Sequence, residues 1–408
     1  MTASGRPQLS RRRFSARFRL PPRRLLIRAV FAVPAVVLIL LGVGMAARLQ
    51  VLTPTGPYPV GRQHLTWVDS SRSETHTADQ SDDRTVALQL WFPAQAGTGQ
   101  PGPYLPGRAD LADGLVASGE LNRLSVWGLR FVRDAARDGA RISPAQRSYP
   151  VVLLSPGNAT NVAFYATIAQ ELASRGYIVV GIDHPYQVAA VQLPDGTVAT
   201  YHAAADRSSG AGSDGVATKV QERVDDVRFV LDGLAATHGS LLEGRMDLGR
   251  VGILGHSNGG LTAAEACRQD PRLGACMNLD GQAAGGPFSI SQQGTAPKQP
   301  FMYLTKEAAL HPELGRRFEA AGDGTYRVVV PAAEHDEFAD GARFRPTLNP
   351  LGRSPEHVLT VSRGFAASFF DIHLRGAGRA ALGQVPAPTN VYVNVYPLGD
   401  QPPLPATG

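Results

Sequence analysis

Residues 255–259 (Gly-His-Ser-Asn-Gly) place a serine between two glycines, a spacing suited to nucleophilic chemistry. They follow an apolar run typical of a buried strand and precede a helix-like segment, 261–268. A G-x-S-x-G sequence in this context is typical of a sharp turn that lifts the serine off a sheet in a strained conformation. Gly255 and Gly259 would let the strand and the helix pass close together. The pattern therefore predicts Ser257 as a nucleophile.

A serine hydroxyl is a poor nucleophile at neutral pH, so it needs a base, and the base needs an orienting acid. Around a turn of this kind the chain order is serine, acid, histidine. A strand-like run at 275–279 ends at Asp280, and a loop that follows the run 326–330 contains His335. We therefore predict Asp280 as the acid and His335 as the general base. His184, at the end of an earlier strand, is expected to shape the pocket floor.

Acyl transfer also needs two backbone N–H groups that bind the developing oxyanion. One is expected from Asn258, the residue after the nucleophile. The other is expected from the loop 155–159 (Ser-Pro-Gly-Asn-Ala), which follows an apolar strand at 149–154. Because Gly157 allows the backbone to turn sharply, the N–H of Asn158 is the predicted second donor.

Six short segments of the chain share a pattern with one known family. They are Tyr-Pro-Val-Gly at 58–61, Trp-Phe-Pro-Ala at 91–94, Ser-Pro-Gly at 155–157, Leu-Ala-Ser-Arg-Gly-Tyr at 172–177, Gly-His-Ser-Asn-Gly-Gly at 255–260 and Leu-Asp at 279–280. Over residues 56–376 the chain resembles the plasma-type platelet-activating-factor acetylhydrolases and their bacterial relatives. The resemblance implies an ester hydrolase in which Ser257 attacks, Asp280 orients and His335 shuttles the proton. It implies a substrate of the short-chain or oxidised phospholipid type, or another lipid ester.

One departure keeps a second hypothesis open. The animal enzymes carry Ser-His-Gly where this chain has Ser-Pro-Gly-Asn, which also resembles bacterial cutinases and polyester hydrolases. Those enzymes place their acid one strand later, where this chain offers only Glu307. We favour Asp280, with a cutinase-like polyester hydrolase as the alternative. A third hypothesis is a membrane-anchored binding module without catalysis, and the complete set of serine, acid and histidine argues against it.

The resemblance implies an α/β-hydrolase fold, spanning residues 56–380, with a mostly parallel central sheet and helices on both faces, and the composition fits it. The chain has 408 residues, 43% of them hydrophobic, which is enough to bury a full core. Its strand-like runs are continuously apolar, as in parallel sheets covered on both sides. Helical patterns alternate with these runs at 161–175, 220–234 and 358–374. The Pro-rich segment 384–408 is expected to be an extended or disordered tail.

We interpret two segments, 97–148 and 187–216, as insertions into the α/β scaffold. Within the first, the apolar residues of 124–133 fall near helical spacing with arginines between them. This predicts an amphipathic helix, either packed on the core or serving as a lid or lipid-contacting surface. The second insertion is rich in Ala, Gly, Ser and Asp, which favours a mobile loop near the site.

The N-terminus differs in composition from the rest. Residues 1–28 hold nine arginines and no acidic residue, and the apolar segment 29–47 follows. Such a segment nearly spans a bilayer core, with the arginines on the cytoplasmic side. Two interpretations stay open: a retained transmembrane anchor with the catalytic domain outside the cytoplasm, or a cleaved signal of a secreted protein. Since the whole chain has a net charge of +5, the remainder is net negative, and nucleic-acid binding is not predicted.

The cysteine content is low. Cys267 and Cys276 are expected near the end of the helix after the turn and the start of the next strand. Outside the cytoplasm they can form a disulfide that braces the turn, and two reduced, buried cysteines are the alternative. No spacing of Cys and His indicates a metal site, so neither a metal nor a cofactor is predicted. The sequence carries no indication of an oligomeric state.

Overall fold

A computed structural model gives the architecture from residue 50 onward. It describes residues 50–405 except for 80, 106–108, 120, 202–212, 238–240, 284, 292–293, 307–311, 322, 332, 345–355, 386–390 and 397–403. The predicted segments 1–28 and 29–47 lie outside this part of the chain. Among the helices within it, none is both long enough and apolar enough to cross a bilayer.

The strands form one large sheet and one hairpin. In chain order they are β1 Val60–Ser73, β2 Asp83–Pro93, β3 Gln100–Pro101, β4 Ala136–Asp138, β5 Tyr149–Ser155, β6 Ile178–Asp183, β7 Ala190–Gln192, β8 Val198–Thr200, β9 Met246–His256, β10 Leu273–Leu279, β11 Phe301–Thr305, β12 Thr325–Val329, β13 Tyr392–Tyr396 and β14 Leu404–Pro405. The large sheet has the order β14-β13-β12-β11-β10-β9-β5-β6-β2-β1-β4-β3, and β7 pairs with β8.

The centre of the sheet is parallel. Strands β6, β5, β9, β10, β11 and β12 all pair in parallel, whereas β2 and β1 continue the sheet antiparallel beyond β6. Strands β5, β10, β11 and β12 are buried along almost their whole length, which explains why their sequences are continuously apolar. The carboxyl ends of these strands share one edge of the sheet, where the candidate catalytic side chains meet.

Helices cover both faces of this sheet, as predicted. Their bounds are α1 Ala109–Ala117, α2 Arg123–Leu129, α3 Ala166–Ser174, α4 Ser213–Thr237, α5 Asn258–Gln269, α6 Pro312–Glu319, α7 Gly341–Phe344 and α8 Glu356–Arg375. The buried residues of α3 and α8 belong to one hydrophobic core, and those of α4 and α5 belong to the other. The predicted α/β-hydrolase architecture is therefore present in the described chain.

Three local expectations need correction. The predicted helix at 161–175 is divided into a 3₁₀ turn, Val162–Tyr165, and α3. The insertion 187–216 was expected to be a loop, but it holds the β7–β8 hairpin and the start of α4. The predicted tail 384–408 contributes β13, which pairs antiparallel with β12 and lengthens the sheet.

Candidate active site

Ser257 occupies the turn between β9 and α5. Its backbone has φ 56° and ψ −122°, a region that side-chain-bearing residues rarely adopt. Its N–H donates to the carbonyl of Leu279 at 2.9 Å, which fixes the turn against the end of β10. The flanking strand and helix therefore hold this residue in its strained conformation. In this conformation Ser257 is partly exposed.

The glycines on either side of the serine are required by close packing. A Cβ atom on Gly255 would overlap the carbonyl of Gly259, and one on Gly259 would overlap the carbonyl of Ser155. Both overlaps involve backbone atoms, which cannot move aside. The structure thus supports the predicted role of Gly255 and Gly259 in letting β9, α5 and β5 approach one another.

The structure brings the three predicted side chains together. His335 Nε2 lies 3.0 Å from Ser257 Oγ, and His335 Nδ1 lies 2.7 Å from Asp280 Oδ2. These are the distances and the order that a serine–histidine–acid relay needs. His335 opens a 3₁₀ turn after β12, and a capping box between Glu334 and Glu337 holds that turn.

Asp280 is held as an anion at the end of β10. Burial would raise its pKa, but hydrogen bonds from His335 and from Thr305 Oγ1, at 2.8 Å, outweigh burial and lower the pKa below its usual range. The N–H of Lys306 also points to this carboxylate, at 3.3 Å. An ionised acid fixes the proton of His335 on Nδ1, so that Nε2 is free to accept the serine proton.

The predicted oxyanion donors flank the serine. Asn258 is the first residue of α5, so its N–H is not used by the hydrogen-bond ladder of that helix. Asn158 follows Gly157 in the loop after β5, and its side chain donates to Tyr201 Oη at 3.0 Å. A Cβ built on Gly157 would lie 3.5 Å from the Cβ of Ser257, which shows how closely this loop approaches the nucleophile.

A hydrogen-bond chain that the sequence did not predict joins this loop to the base. The N–H of Gly157 donates to Tyr165 Oη at 2.9 Å, and Tyr165 Oη lies 2.8 Å from His256 Nδ1. His256 Nε2 lies 2.9 Å from the carbonyl of His335. Because that carbonyl only accepts, His256 carries its proton on Nε2 and Nδ1 accepts from the tyrosine. Burial lowers the pKa of His256 to about 4, which keeps the ring neutral.

We expect Tyr165→Phe to lower kcat about fivefold with little change in KM, since losing a buried hydrogen bond of this type costs about 1 kcal/mol. The change removes the link between the loop and the backbone of His335. Tyr326→Phe is the matched control, because Tyr326 Oη bonds His373 and touches none of the candidate site residues. Steady-state kinetics that show equal losses in the two variants would contradict the link.

Arg223 of α4 holds the same loop from behind. Its side chain is fully buried and donates to the carbonyl of Pro156 at 2.6 Å and to Gln187 Oε1 at 2.7 Å. A longer contact of 3.4 Å reaches Asn158 Oδ1. Burial lowers the pKa of Arg223 to about 10, so it remains a cation at neutral pH. The loop with the predicted oxyanion donor is therefore anchored by a buried positive charge.

Arg223→Met is expected to lower kcat 10- to 100-fold while KM changes less, a smaller loss than the roughly 100- to 1,000-fold cost of deleting an oxyanion donor outright. Without its anchor, the loop would present the N–H of Asn158 less accurately. Arg223→Lys should recover part of the loss because it keeps the charge. Thermal unfolding would verify that both variants fold, and an unchanged kcat in a folded Arg223→Met protein would refute the anchoring role.

A second serine–histidine–aspartate set lies under the same loop. Ser155 Oγ is 3.0 Å from His184 Nε2, and His184 Nδ1 is 2.8 Å from Asp226 Oδ2. All three residues are fully buried, and Asp226 also pairs with Arg84 at 2.7 Å. Burial lowers the pKa of His184 to about 4. No substrate can reach this serine, so the set braces the ends of β5 and β6, and the predicted role of His184 in the pocket floor stays a prediction.

The remaining predicted residues have clear positions. Cys267 and Cys276 form a disulfide between α5 and β10, with their Cα atoms 6.3 Å apart. Glu307, the alternative acid, lies outside the described residues.

Among the described residues, Glu74, His76 and Glu222 form a cluster with metal-ligating atoms, but the guanidinium of Arg84 already pairs with both glutamates. That positive charge opposes a metal cation at the cluster.

Comparisons with known proteins agree with this geometry. Residues 43–200 match the family model described as platelet-activating factor acetylhydrolase, isoform II, and residues 146–315 match the one described as serine aminopeptidase, S33. A probable 1-alkyl-2-acetylglycerophosphocholine esterase from Arthroderma benhamiae is 25% identical over 70% of this chain and 75% of its own length. The platelet-activating factor acetylhydrolase of Gallus gallus is 21% identical over 62% of this chain and 64% of its own length.

A solved structure supports the same assignment. The ferulic acid esterase of Streptomyces cinnamoneus is similar with a TM-score of 0.66 and 29% identity, over 84% of this chain and 98% of that one. The family models together cover the chain from the first strands to beyond β11, including the turn at Ser257. These matches support a platelet-activating-factor acetylhydrolase-like α/β hydrolase of the carboxylic ester hydrolase class.

Proposed function

We propose that the protein hydrolyses lipid esters, of the short-chain or oxidised phospholipid type, through an acyl-enzyme on Ser257. One observation carries the proposal: the serine at the strained turn is hydrogen-bonded to His335, which is hydrogen-bonded to a buried, ionised Asp280. This arrangement supplies a nucleophile, a base and an orienting acid in the required order.

In the first half of the reaction, the substrate carbonyl lies beside Ser257. His335 Nε2 takes the serine proton as Oγ attacks the carbonyl carbon, and Asp280 stabilises the resulting imidazolium. The N–H groups of Asn158 and Asn258 bind the oxyanion. His335 then donates its proton to the departing alcohol, which leaves an acyl-enzyme.

In the second half, water takes the place of the alcohol. His335 removes a proton from this water, which attacks the acyl carbonyl, and the same two N–H groups bind the second oxyanion. Collapse of this intermediate releases the carboxylic acid and returns the proton to Ser257. No cofactor or metal enters either step.

The surface near the site favours a lipid substrate. Leu124, Trp127 and Phe131 are each more than half exposed, although large apolar side chains are usually buried. The rings of Trp127 and Phe131 pack with centroids 4.8 Å apart, and helix α2, which carries Leu124 and Trp127, contacts α7 just after the turn of His335. Exposed aromatic residues beside arginines suit contact with lipid head groups and chains.

A second candidate is hydrolysis of aryl esters. It is favoured by the similarity to the ferulic acid esterase, which covers 84% of this chain. The fungal esterase and the Gallus gallus acetylhydrolase cover 70% and 62% of it. The cutinase-like alternative stays in the test because of the Ser-Pro-Gly-Asn loop. The non-catalytic module is set aside, because the comparisons are with hydrolases and the serine, acid and histidine are hydrogen-bonded.

A substrate panel tests the proposal on the full chain in detergent. It comprises 1-alkyl-2-acetylglycerophosphocholine, p-nitrophenyl acetate, butyrate and decanoate, methyl ferulate and a polyester film. We expect the highest kcat/KM on the acetyl phospholipid and the short p-nitrophenyl esters. Preference for methyl ferulate would favour the aryl esterase, and release of soluble acids from the film would favour the cutinase-like alternative. A folded protein that is inactive on every ester would overturn the proposal.

We infer from the sequence of residues 1–47 that the catalytic domain acts outside the cytoplasm, either anchored or released. The basic arm and the apolar segment 29–47 support this inference. Fractionation of expressing cells, with N-terminal sequencing of the mature protein, separates the two forms. Activity confined to the cytoplasmic fraction would contradict both.

A further inference from the structure

The two insertions enclose a cavity of about 330 Å³ against the antiparallel part of the sheet. Helix α1 and strand β7 form its outer wall, and strands β1, β2 and β6 form its floor. None of the residues that line it is a member of the proposed triad or one of the two oxyanion donors. It therefore needs an explanation of its own.

The floor of the cavity is unusually polar for a covered sheet face. Thr66 pairs with Ala87, and Ala87 pairs with Asp183, so these residues form one row across three strands. In the next row, His64 pairs with Gln89. A sheet face that only packs against helices is normally apolar. This one presents a hydroxyl, a carboxyl, an imidazole and an amide to an enclosed space.

Asn161 supplies an unused hydrogen-bond acceptor at the inner end of the cavity. The residue is 7% exposed, and its Nδ2 donates to the carbonyl of Ala190 at 2.7 Å, which fixes the orientation of the amide. Its Oδ1 is buried and accepts no hydrogen bond from the described part of the protein. A buried acceptor without a donor costs about 1–3 kcal/mol, so a bound donor would be favoured there.

Asp183 adds a second polar group beside Asn161. Its Oδ1 accepts from the N–H of Val162 at 2.8 Å. Burial raises the pKa of Asp183 to about 7, despite hydrogen bonds from Val162 and Asn161. A carboxyl with a pKa near 7 is only about half ionised at neutral pH, so a neutral, hydrogen-bonding ligand suits this place better than a strongly charged one.

The opposite wall is apolar. Leu111 and Leu115 of α1, with Leu105 and Val191, face the polar floor across the cavity. His64 and Thr66 on β1 are exposed, so the opening lies at their end, whereas Leu115 and Ala190 are almost fully buried. The cavity thus combines an entrance, an apolar wall and an inner hydrogen-bond acceptor, a combination typical of small-molecule sites.

We propose that this cavity is a binding site for an uncharged aliphatic alcohol, separate from the ester-hydrolysing centre. The hydroxyl group donates to Asn161 Oδ1, and the alkyl chain lies against Leu111 and Leu115. Asn161 is three residues from Asn158 on the same segment of chain, so an occupied site would stabilise the loop that carries the proposed oxyanion donor. The inference concerns a different site and does not depend on the proposed function.

Binding can be tested with 1-hexanol and the unaltered full chain, with no ester present. Saturation-transfer NMR titration would give the affinity. Hexyl methyl ether, which has no donor, is expected to bind about tenfold more weakly, as is 1-hexanol to Asn161→Leu, because each case loses one hydrogen bond. The ether measurement uses the unaltered protein, so it is informative even if Asn161→Leu folds poorly.

A filling substitution locates the site. Leu111→Trp on α1 should reduce 1-hexanol affinity more than tenfold by occupying the cavity. Ala117→Trp, on an exposed position of the same helix, should leave the affinity unchanged. Equal affinity for the alcohol and the ether, equal binding by the two tryptophan variants, or no saturable binding by the unaltered protein would each overturn the proposal. Failure of ester hydrolysis in the unmodified protein would affect only the proposed function.

Discussion

Replacing Ser257 by alanine is expected to lower kcat for p-nitrophenyl acetate by roughly 10⁶-fold, the scale of loss seen when a serine nucleophile is removed from such a relay. The reason is structural: Ser257 Oγ is the partly exposed hydroxyl that lies 3.0 Å from His335 Nε2. The variant removes only this oxygen and should keep the fold. The measurement is a comparison of steady-state rates for the purified variant and the unaltered protein, with a blank for spontaneous hydrolysis.

Ser155→Ala is the matched control, because Ser155 also contacts a histidine that contacts an aspartate. Its hydroxyl is fully buried, so the expected effect is a stability loss of about 1 kcal/mol and less than a tenfold change in kcat. If Ser155→Ala abolished activity and Ser257→Ala did not, the proposed nucleophile would be wrong. A similar modest loss in both variants would argue against an acyl-enzyme on either serine.

Asp280→Asn is expected to lower kcat by about 10⁴-fold with a smaller effect on KM. An asparagine amide can donate to His335 Nδ1 and so favour the tautomer with the proton on Nε2, which cannot accept the serine proton. The bonds of Asp280 Oδ1 to Thr305 and Lys306 help to hold the new side chain in place. The loss should therefore be kinetic, and the thermal unfolding temperature should change little.

Glu307→Gln tests the alternative acid. The cutinase-like hypothesis predicts a large loss in this variant and near-normal activity in Asp280→Asn. The acetylhydrolase-like hypothesis predicts the reverse, because the carboxylate that contacts His335 at 2.7 Å is Asp280. Equal, small effects of both substitutions would show that neither carboxylate orients the base.

The sequence predicted the residues that act through local patterns. The turn at Ser257 was predicted from the glycines two residues away on each side. Asp280 was predicted from its position at the end of a strand-like run. His335 was harder, since it lies 78 residues after the serine, and it was predicted from the chain order serine, acid, histidine that is typical of such turns. The parallel centre of the sheet followed from its continuous apolar runs.

The support around the site could not be predicted in the same way. Tyr165, His256 and Arg223 act through contacts between residues far apart in the chain, and a lone tyrosine or arginine carries no local signal of such a contact. Asn161 is similar, because its importance depends on a cavity formed by both insertions. The β7–β8 hairpin was missed because its strands have only three residues each, which is too short for a periodic pattern.

The position of β12 in the sheet has a consequence for folding. Ser257 follows β9, whereas His335 follows β12, which is separated from β9 in the sheet by β10 and β11. A chain emerging during synthesis can form the serine turn before the strand that presents the base exists. The nucleophile therefore stays unactivated until the C-terminal third has docked, and hydrolytic activity is one of the last properties that the folding chain acquires.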